Sequence, residues 1–262
     1  MRKDILLVVL YNENITSSKT ISTYINNCSA YHNQIKLVIW DNSPNQMVNQ
    51  RDRYNFPVKF DYYHTPDNTP LSIVYNKIIE SSMEYDSIFI FDQDSIITKE
   101  YFNQIYAARQ QFPQINLFIP RIIHKKKVLS PAKRILHKGS YVYDREISGI
   151  ISAKRFLGIM SGMNIMMTLF KNTNIKFDEH LSLYGVDTMF SIDYSKWFNT
   201  LYIIDYTLIH DLSMFSEEMP EIKKRRFESN ISSSKYIAKK ISIWTYLSCL
   251  IAIFIRKLIN NI

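Results

Sequence analysis

The sequence predicts an α/β fold in which a Rossmann-like, mainly parallel sheet is flanked by helices and followed by a C-terminal helical extension. Two observations predict the sheet: short apolar runs alternate with helix-like stretches through the first 120 residues, and the runs are rich in Ile, Val, Phe and Tyr. A third predicts the extension, because the last 46 residues have the pattern of helices that carry a basic cluster and then an apolar tail.

Five apolar runs are the predicted strands of the first half; they cover residues 5–10, 35–40, 58–63, 87–91 and 115–120. The clearest helix between them begins after Pro70, where Leu71, Val74 and Ile78 follow the spacing of a one-sided helix. Pro70 suits a helix start because its missing N–H would be unpaired there. Strands that alternate with helices predict a parallel sheet with helices on both faces.

The second half is less regular. Residues 121–148 are predicted to form a long basic connection, and residues 158–170 form either a strand or a buried helix. A helix is predicted over 185–198 and a strand over 201–210, ending at His210. We place the main domain at 1–215 and the helical extension at 216–262.

The net charge of +8 is concentrated in one segment. Residues 121–155 hold ten Lys and Arg side chains and two acids, an excess that equals the net charge of the whole chain. Such a segment favours an anionic partner, either a phosphate-bearing ligand, a lipid surface or nucleic acid, and the alternative is a solvated loop.

Two features argue for a reducing compartment. The two cysteines, Cys28 and Cys249, are far apart and form neither a disulfide framework nor a thiolate metal site. The apolar run near the N-terminus is too short for the hydrophobic region of a signal peptide, and we interpret it as the first strand.

Polar clusters follow the first four predicted strands. These clusters are Tyr11-Asn12-Glu13, Asp41-Asn42-Ser43, Asp67-Asn68 and Asp92-Gln93-Asp94. One such cluster is ordinary turn chemistry, but four in succession indicate a site, because ligands of doubly wound sheets bind at the carboxyl ends of the strands.

Asp92 and Asp94 form an Asp-x-Asp motif at the end of a buried strand. Two adjacent carboxylates repel each other, and a divalent cation relieves that repulsion. Mg²⁺ and Mn²⁺ take oxygen ligands and share them with substrate phosphates. The motif therefore predicts a cation that bridges to a diphosphate.

The ordered motifs YNEN, WDNS, NTPLSIVYNKII, FDQDS, GVDTMF and IH resemble the family 2 inverting glycosyltransferases, which have the GT-A fold. FDQDS is especially similar to the rhamnosyltransferase-like branch that builds bacterial surface polysaccharides. The resemblance covers roughly residues 4–215. It implies transfer of a sugar, such as rhamnose or another hexose, from a nucleoside-diphosphate sugar to a polyprenyl-diphosphate-linked saccharide in O-antigen or capsule assembly.

On the donor side, the resemblance assigns five of these residues. It implies that Tyr11 and Glu13 line the pocket for the base and ribose, and that Asp41 hydrogen-bonds the base. Asn68 and Asn76 would lie on the helical segment that faces the donor.

The resemblance also assigns the chemistry. Asp92 would contact ribose or sugar, and Asp94 would bind the Mg²⁺ or Mn²⁺ that bridges the diphosphate. Asp187 matches the acid that acts as general base, and His210 matches a histidine near the metal. Asp178 and Asp193 are the neighbouring acids that would be considered next.

The tail ISIWTYLSCLIAIFI, residues 241–255, has 15 residues without a charge and is flanked by basic pairs. As a helix it would measure roughly 22 Å, whereas a bilayer core needs about 30 Å. We therefore expect it to lie at the cytoplasmic membrane surface, as a peripheral contact on the inner face. The alternative is a helix packed on the domain or in a homodimer.

Three other functions compete with this interpretation. FIFDQDS also resembles the motif of haloacid-dehalogenase-like phosphatases, although there the acids usually follow the first strand. A non-catalytic glycosyltransferase-like module would need no intact set of acids. Nucleic-acid binding is the weakest alternative, because no recognised module accompanies the basic segment.

Overall fold

A computed structural model describes residues 3–124, 127–210 and 220–259. Its strands are β1 Asp4–Leu10, β2 Ile35–Asp41, β3 Phe60–His64, β4 Ser87–Asp92, β5 Ser95–Ile96, β6 Leu117–His124, β7 Lys127–Ile135, β8 Lys138–Val142, β9 Gly149–Ser152, β10 Phe156–Leu157, β11 Met163–Met166 and β12 Thr200–His210. Its α-helices are α1 Lys19–Asn27, α2 Gln50–Asn55, α3 Leu71–Glu80, α4 Lys99–Gln111, α5 Met167–Asn172, α6 Val186–Trp197, α7 Pro220–Ile241 and α8 Ile243–Ile259.

The first four strands form the parallel sheet that the sequence predicts. Their order is β3-β2-β1-β4, and every neighbouring pair is parallel. The sheet then becomes mixed, because β11 is antiparallel to both β4 and β6 while β12 is parallel to β6. The predicted α/β class is confirmed, and the parallel arrangement is confined largely to the first half.

Helices cover both faces of this sheet, as predicted. Alternate residues of β1 belong to two different cores because successive side chains of a strand point to opposite faces. Ile5, Leu7 and Val9 join α3 and α6 in one core. Leu6, Val8 and Leu10 join α1 and α4 in the other. Both faces of β1 are therefore buried, which explains its uninterrupted apolar run.

The prediction of a long basic connection over 121–148 is wrong. This segment contains the end of β6 and the antiparallel pair β7 and β8. β7 follows strand alternation, with exposed Lys127 and Lys133 on either side of buried Val128 and Ser130. The adjacent cations Lys133 and Arg134, one exposed and one half-buried, interrupt this alternation and hide the period-two pattern in the sequence.

Residues 158–170 combine the two structures that the sequence left open. Strand β11 covers Met163–Met166, and α5 begins directly after it. Gly162 precedes the strand at φ 83°, a backbone conformation that favours glycine. A Cβ there would also lie 2.7 Å from Pro120 Cγ.

The C-terminal extension is helical, as predicted, and its two helices pack as a hairpin. α8 packs on α7 through Cys249, Ile253 and Ala238. α7 in turn contributes Ile237 to the first core, so it is anchored to the sheet domain. Within the described ranges no helix is long and apolar enough to cross a membrane.

Candidate active site

The site is built where β1, β2 and β4 end. Leu10 lies opposite Asp41 of β2, and Val9 lies opposite Asp92 of β4. The chain therefore leaves all three strands at the same edge of the sheet. The polar clusters that follow these strands are brought together, as the sequence predicts.

The Asp92–Asp94 turn is held by the first turn of α1. Thr20 Oγ1 donates to the Asp92 carbonyl and accepts from the Ser95 N–H at 2.9 Å. Ser18 Oγ donates to the Gln93 carbonyl at 2.8 Å, and this Ser also caps α1. The backbone of the turn is thus fixed by buried hydroxyl groups, while both Asp side chains are half-buried.

Gln93 is a functional candidate that the sequence reasoning missed. Its side-chain oxygen accepts from the Tyr11 N–H at 2.7 Å, and its amide donates to the Tyr11 carbonyl at 3.3 Å. These two bonds join the end of β4 to the end of β1. They fix the backbone of Tyr11, whose ring is 46% exposed at the mouth of the site. A spacer residue between two acids carries no sequence signal for this role.

Glu13 lies within electrostatic range of Asp94. Burial raises the pKa of Glu13, and the charge of Asp94 raises it further, whereas Lys19 acts in the opposite direction. Contact of Glu13 with the base and ribose stays a prediction, and the structure places it within electrostatic range of the Asp94 carboxylate. Two carboxylates that repel one another favour binding of a cation between them and a phosphate-bearing ligand.

Asp41 organises the loop after β2. Its carboxylate is completely buried and accepts from the Ser43 N–H at 2.9 Å, the Met47 N–H at 2.8 Å and the Tyr62 hydroxyl. Burial acts to raise the pKa of Asp41, but these hydrogen bonds outweigh it and lower the pKa. Contact of Asp41 with a nucleotide base stays a prediction, and both of its oxygens already accept hydrogen bonds within the protein.

Asn68 and Asn76 do not share a helical segment. Asn68 is exposed at φ 48° in the loop before α3. Asn76 lies within α3, buried, and its amide donates to the Phe177 carbonyl and to Glu179 Oε1, each at 2.9 Å. Its oxygen accepts from the Phe177 N–H at 2.9 Å. Contact of Asn76 with the donor stays a prediction, and its polar atoms hold the 177–179 segment.

Asp187 lies in the first turn of α6, after Gly185 at φ 81°. Its Oδ1 accepts from the Thr188 N–H at 2.6 Å. Burial raises the pKa of Asp187, and the Thr188 hydrogen bonds offset this only in part. A carboxylate with a raised pKa is better suited to accept a proton than an ordinary surface acid.

Asp187 and Asp92 are 95 residues apart in the sequence, yet both lie within electrostatic range of the same tyrosine. This is Tyr75, a fully buried side chain of α3. Burial raises the pKa of Tyr75, and the negative charges of both Asp92 and Asp187 raise it further. The acid of the second half thus lies on the same side of the sheet as the Asp-x-Asp turn.

The two neighbouring acids are already engaged. Asp178 accepts from Lys240 Nζ at 2.6 Å, and although its burial acts to raise its pKa, hydrogen bonds from Lys240 and His180 lower it. Asp193 is paired with Lys196 at 2.6 Å. Asp187 is therefore the best-placed proton acceptor of the three.

His210 ends β12, and its side chain lies outside the described part of the structure. Its backbone pairs with Ser95, one residue after Asp94. Among the described residues, no three His, Cys, Asp or Glu side chains are grouped to hold a metal. A Mg²⁺ or Mn²⁺ that is shared with a diphosphate needs only one or two protein carboxylates, so Asp92 and Asp94 fit such an ion chemically.

No family model matches the sequence, and no curated protein matches it. Solved structures do match. Staphylococcus aureus TarS superimposes with a TM-score of 0.60 at 14% identity, covering 91% of this chain and 39% of TarS. TarS 1–349 in complex with UDP-GlcNAc gives a TM-score of 0.61 at 14% identity, covering 90% of this chain and 65% of the other. The chain has the GT-A glycosyltransferase fold.

A second glycosyltransferase shows the same architecture. GalNAc-T7, solved with UDP, GalNAc and Mn²⁺, matches with a TM-score of 0.57 at 10% identity, covering 90% of this chain and 50% of the other. This chain spans less than two thirds of each of these proteins. At such identities the likeness shows the fold, and it does not confirm the rhamnosyltransferase-like branch.

Proposed function

We propose that this protein is an inverting glycosyltransferase that moves a sugar from a nucleoside-diphosphate sugar to a polyprenyl-diphosphate-linked saccharide of surface-polysaccharide assembly, such as O-antigen or capsule. One observation carries the proposal: the Asp-x-Asp turn at the carboxyl edge of a GT-A sheet and Asp187, whose pKa burial raises, both lie within electrostatic range of the buried Tyr75. The donor sugar would be rhamnose or another hexose.

The chemistry follows from the placement of the acids. Asp187 takes the proton of the acceptor hydroxyl while that oxygen attacks the anomeric carbon, and the nucleoside diphosphate leaves from the opposite face. Direct displacement needs no enzyme nucleophile. Tyr11, Glu13 and Asn68 lie at the edge where the nucleoside is held, and Asp41 shapes the adjoining loop.

Asp94, with Asp92 and His210 nearby in the chain fold, would hold Mg²⁺ or Mn²⁺. Such an ion stabilises the negative charge that develops on the departing diphosphate. The chemical fit rests on hard carboxylate oxygens and on the repulsion between Glu13 and Asp94.

Replacing Asp94 by alanine is expected to abolish the metal dependence of nucleoside-diphosphate binding. Even the loss of an outer-shell metal partner costs about 10–100-fold in affinity, so loss of the ligand should cost at least as much. Titrating UDP and GDP with Mn²⁺ and with EDTA measures the effect. Asp61→Asn, which changes an acid paired with Lys36 on the sheet edge, is the control. An unchanged response to Mn²⁺ in Asp94→Ala would remove Asp94 from the metal site.

We further propose that α8 seats the protein on the inner face of the cytoplasmic membrane. Six large apolar side chains of this helix are 43–76% exposed: Ile243, Trp244, Leu247, Ile251, Phe254 and Ile255. Their spacing places them on one face, opposite the Cys249 and Ile253 that pack on α7. Lys239 and Lys240 lie in the last turn of α7, directly before α8 begins, and their positive charges suit an anionic lipid surface.

Ile251→Glu with Phe254→Glu is expected to release the protein from anionic vesicles. Burying each side chain in lipid contributes on the order of 2 kcal/mol, and each 1.4 kcal/mol is roughly tenfold in partition. Vesicle co-sedimentation measures this, with Tyr54→Glu as a control because Tyr54 is 88% exposed on α2. Truncating the chain within α7 is a poorer test, because this also removes Ile237 of α7 from the core of the sheet domain.

Equal pelleting of wild type and the double variant would contradict the membrane role. If the variant instead converted a dimer into a monomer by light scattering, α8 would be a homodimer interface.

A further inference from the structure

A polar cluster joins the loop before α6 to the end of α7. Asp178 lies at its centre and accepts from Lys240 Nζ at 2.6 Å, from the Tyr236 hydroxyl at 3.0 Å and from the His180 N–H at 3.2 Å. The His180 ring contacts the same carboxylate through Nδ1 at 3.1 Å and stacks on Tyr236 at 5.3 Å between ring centroids. We call these four residues the Asp178 cluster.

The Asp178 cluster exposes the His180 imidazole and the Lys240 ammonium. The Asp178 side chain is only 7% exposed, whereas that of His180 is 75% exposed and that of Lys240 46%. An ammonium has three N–H donors, so Lys240, which is engaged with Asp178 and Tyr236, retains a donor for another acceptor. His180 is held at Nδ1, which turns Nε2 away from the carboxylate. The anchor is buried, and the groups that an anion would meet are accessible.

Two neighbours determine what could reach this cluster. Lys240 lies three residues before Ile243, where the exposed apolar face of α8 begins. On the other side, the loop continues from His180 to Gly185, where a Cβ would lie 2.7 Å from Ile237 of α7, and then to Asp187. The cluster thus lies between a lipid-facing helix and the proposed general base.

We propose that His180 and Lys240 bind the phosphate or diphosphate group of the lipid-linked acceptor. This inference rests on the proposed function. A lipid whose chain lies against the α8 face has its phosphate at the boundary between apolar and polar surface, where Lys240 stands. Ammonium, and protonated imidazole, form charge-assisted hydrogen bonds with phosphate oxygens. The saccharide beyond the phosphate would then extend along the loop towards Asp187.

A purely structural role does not require His180. Lys240 and Tyr236 already connect α7 to Asp178, and the exposed imidazole adds little buried contact. His180→Gln therefore tests ligand binding with little effect on the fold. Lys240→Met tests the ammonium, and Lys240→Arg keeps both the ion pair and the positive charge.

The experiment measures binding of the full chain to three probes. These are neutral phosphatidylcholine vesicles that contain a prenyl diphosphate, vesicles of equal charge made with phosphatidylglycerol, and inorganic pyrophosphate in solution. Wild type should prefer the prenyl diphosphate vesicles. His180→Gln and Lys240→Met should each lose about tenfold on these vesicles, the worth of a charge-assisted hydrogen bond. Lys240→Arg should retain the affinity, and Lys235→Met, on the same helix, is the control.

Three outcomes would overturn the proposal. The first is that wild type, His180→Gln and Lys240→Met bind the prenyl diphosphate vesicles equally well. The second is that the variants lose as much affinity for phosphatidylglycerol vesicles as for prenyl diphosphate vesicles, which would show a general effect of lipid charge. The third is pyrophosphate binding that matches the vesicles, which would show a site for free phosphate. Titration of the same proteins with UDP, GDP and dTDP in the presence of Mn²⁺ reports the donor site separately. Absence of binding of all three nucleotides to the wild type would contradict the proposed function, whereas vesicle selectivity alone decides the acceptor site.

Discussion

Asp187→Asn should lower the rate of sugar transfer by about 10²–10⁴-fold, the usual contribution of a general base. Asparagine keeps the size and hydrogen bonding of the side chain but cannot accept the proton. Donor affinity should stay close to that of wild type, because Asp187 lies on α6 and the proposed donor contacts lie at the ends of β1, β2 and β4. Transfer rate and donor affinity, measured in the same variant, test this.

The same substitution should not destabilise the fold at neutral pH. Burial raises the pKa of Asp187, so the folded state binds this proton more tightly than the unfolded state. Stability is consequently lost as pH rises from the ordinary Asp pKa through the raised one. Asp187→Asn removes this loss, so its stability relative to wild type should increase with pH over that window. Urea unfolding across the pH range measures the difference.

Asp193→Asn is the matched control, because Asp193 lies on the same helix in an ion pair with Lys196. Near-normal turnover in Asp187→Asn would remove Asp187 from the mechanism. Loss of donor affinity would instead assign Asp187 to the nucleotide or metal site.

Arg109→Met should lower the free energy of unfolding by about 3–5 kcal/mol, the cost of breaking a buried ion pair. Arg109 of α4 donates to both oxygens of Asp4 at 3.1 Å, and Asp4 is completely buried at the start of β1. Ser87 Oγ at 2.7 Å and the Tyr106 hydroxyl at 2.8 Å also donate to this carboxylate. Loss of the guanidinium leaves a buried charge without its counter-ion.

A double-mutant cycle separates the charge from the packing. Asp4→Asn combined with Arg109→Met should recover much of the lost free energy of unfolding, because no uncompensated charge remains. Lys36→Met, which breaks the half-exposed pair with Asp61, should cost no more than about 1 kcal/mol. If Arg109→Met cost as little as Lys36→Met in urea unfolding, the buried pair would not be a major stabilising element.

The sequence predicted the part of the fold that depends on local pattern. The apolar run 5–10 could be recognised as a strand because both of its faces are buried. The basic residues of β7 concealed a strand, although its partners β6 and β8 are its neighbours in the sequence. The adjacent cations Lys133 and Arg134 interrupt the alternation of apolar and polar residues there. Residues 158–170 were ambiguous for a physical reason, since a buried strand and a buried helix turn follow one another there.

The part of the candidate site that depends on local pattern was also predictable, whereas its long-range contacts were not. Polar residues at strand ends predicted that these clusters meet at one edge of the sheet, because parallel strands end on one side. The sequence could not show that Asn76 hydrogen-bonds the 177–179 segment, or that Gln93 joins β4 to β1. Both contacts link residues more than 80 positions apart, and neither residue type indicates its partner.

The most direct test of glycosyltransferase activity is a panel of UDP-, GDP- and dTDP-sugars, titrated with Mn²⁺ and with EDTA and followed for release of the nucleoside diphosphate. We predict that sugars of one nucleotide bind in a metal-dependent manner, that the nucleoside diphosphate is released, and that Asp94→Ala loses both properties. If no nucleotide sugar bound, and the protein instead released inorganic phosphate from a phosphomonoester, the Asp92–Asp94 turn would belong to a phosphatase and the proposed function would be contradicted.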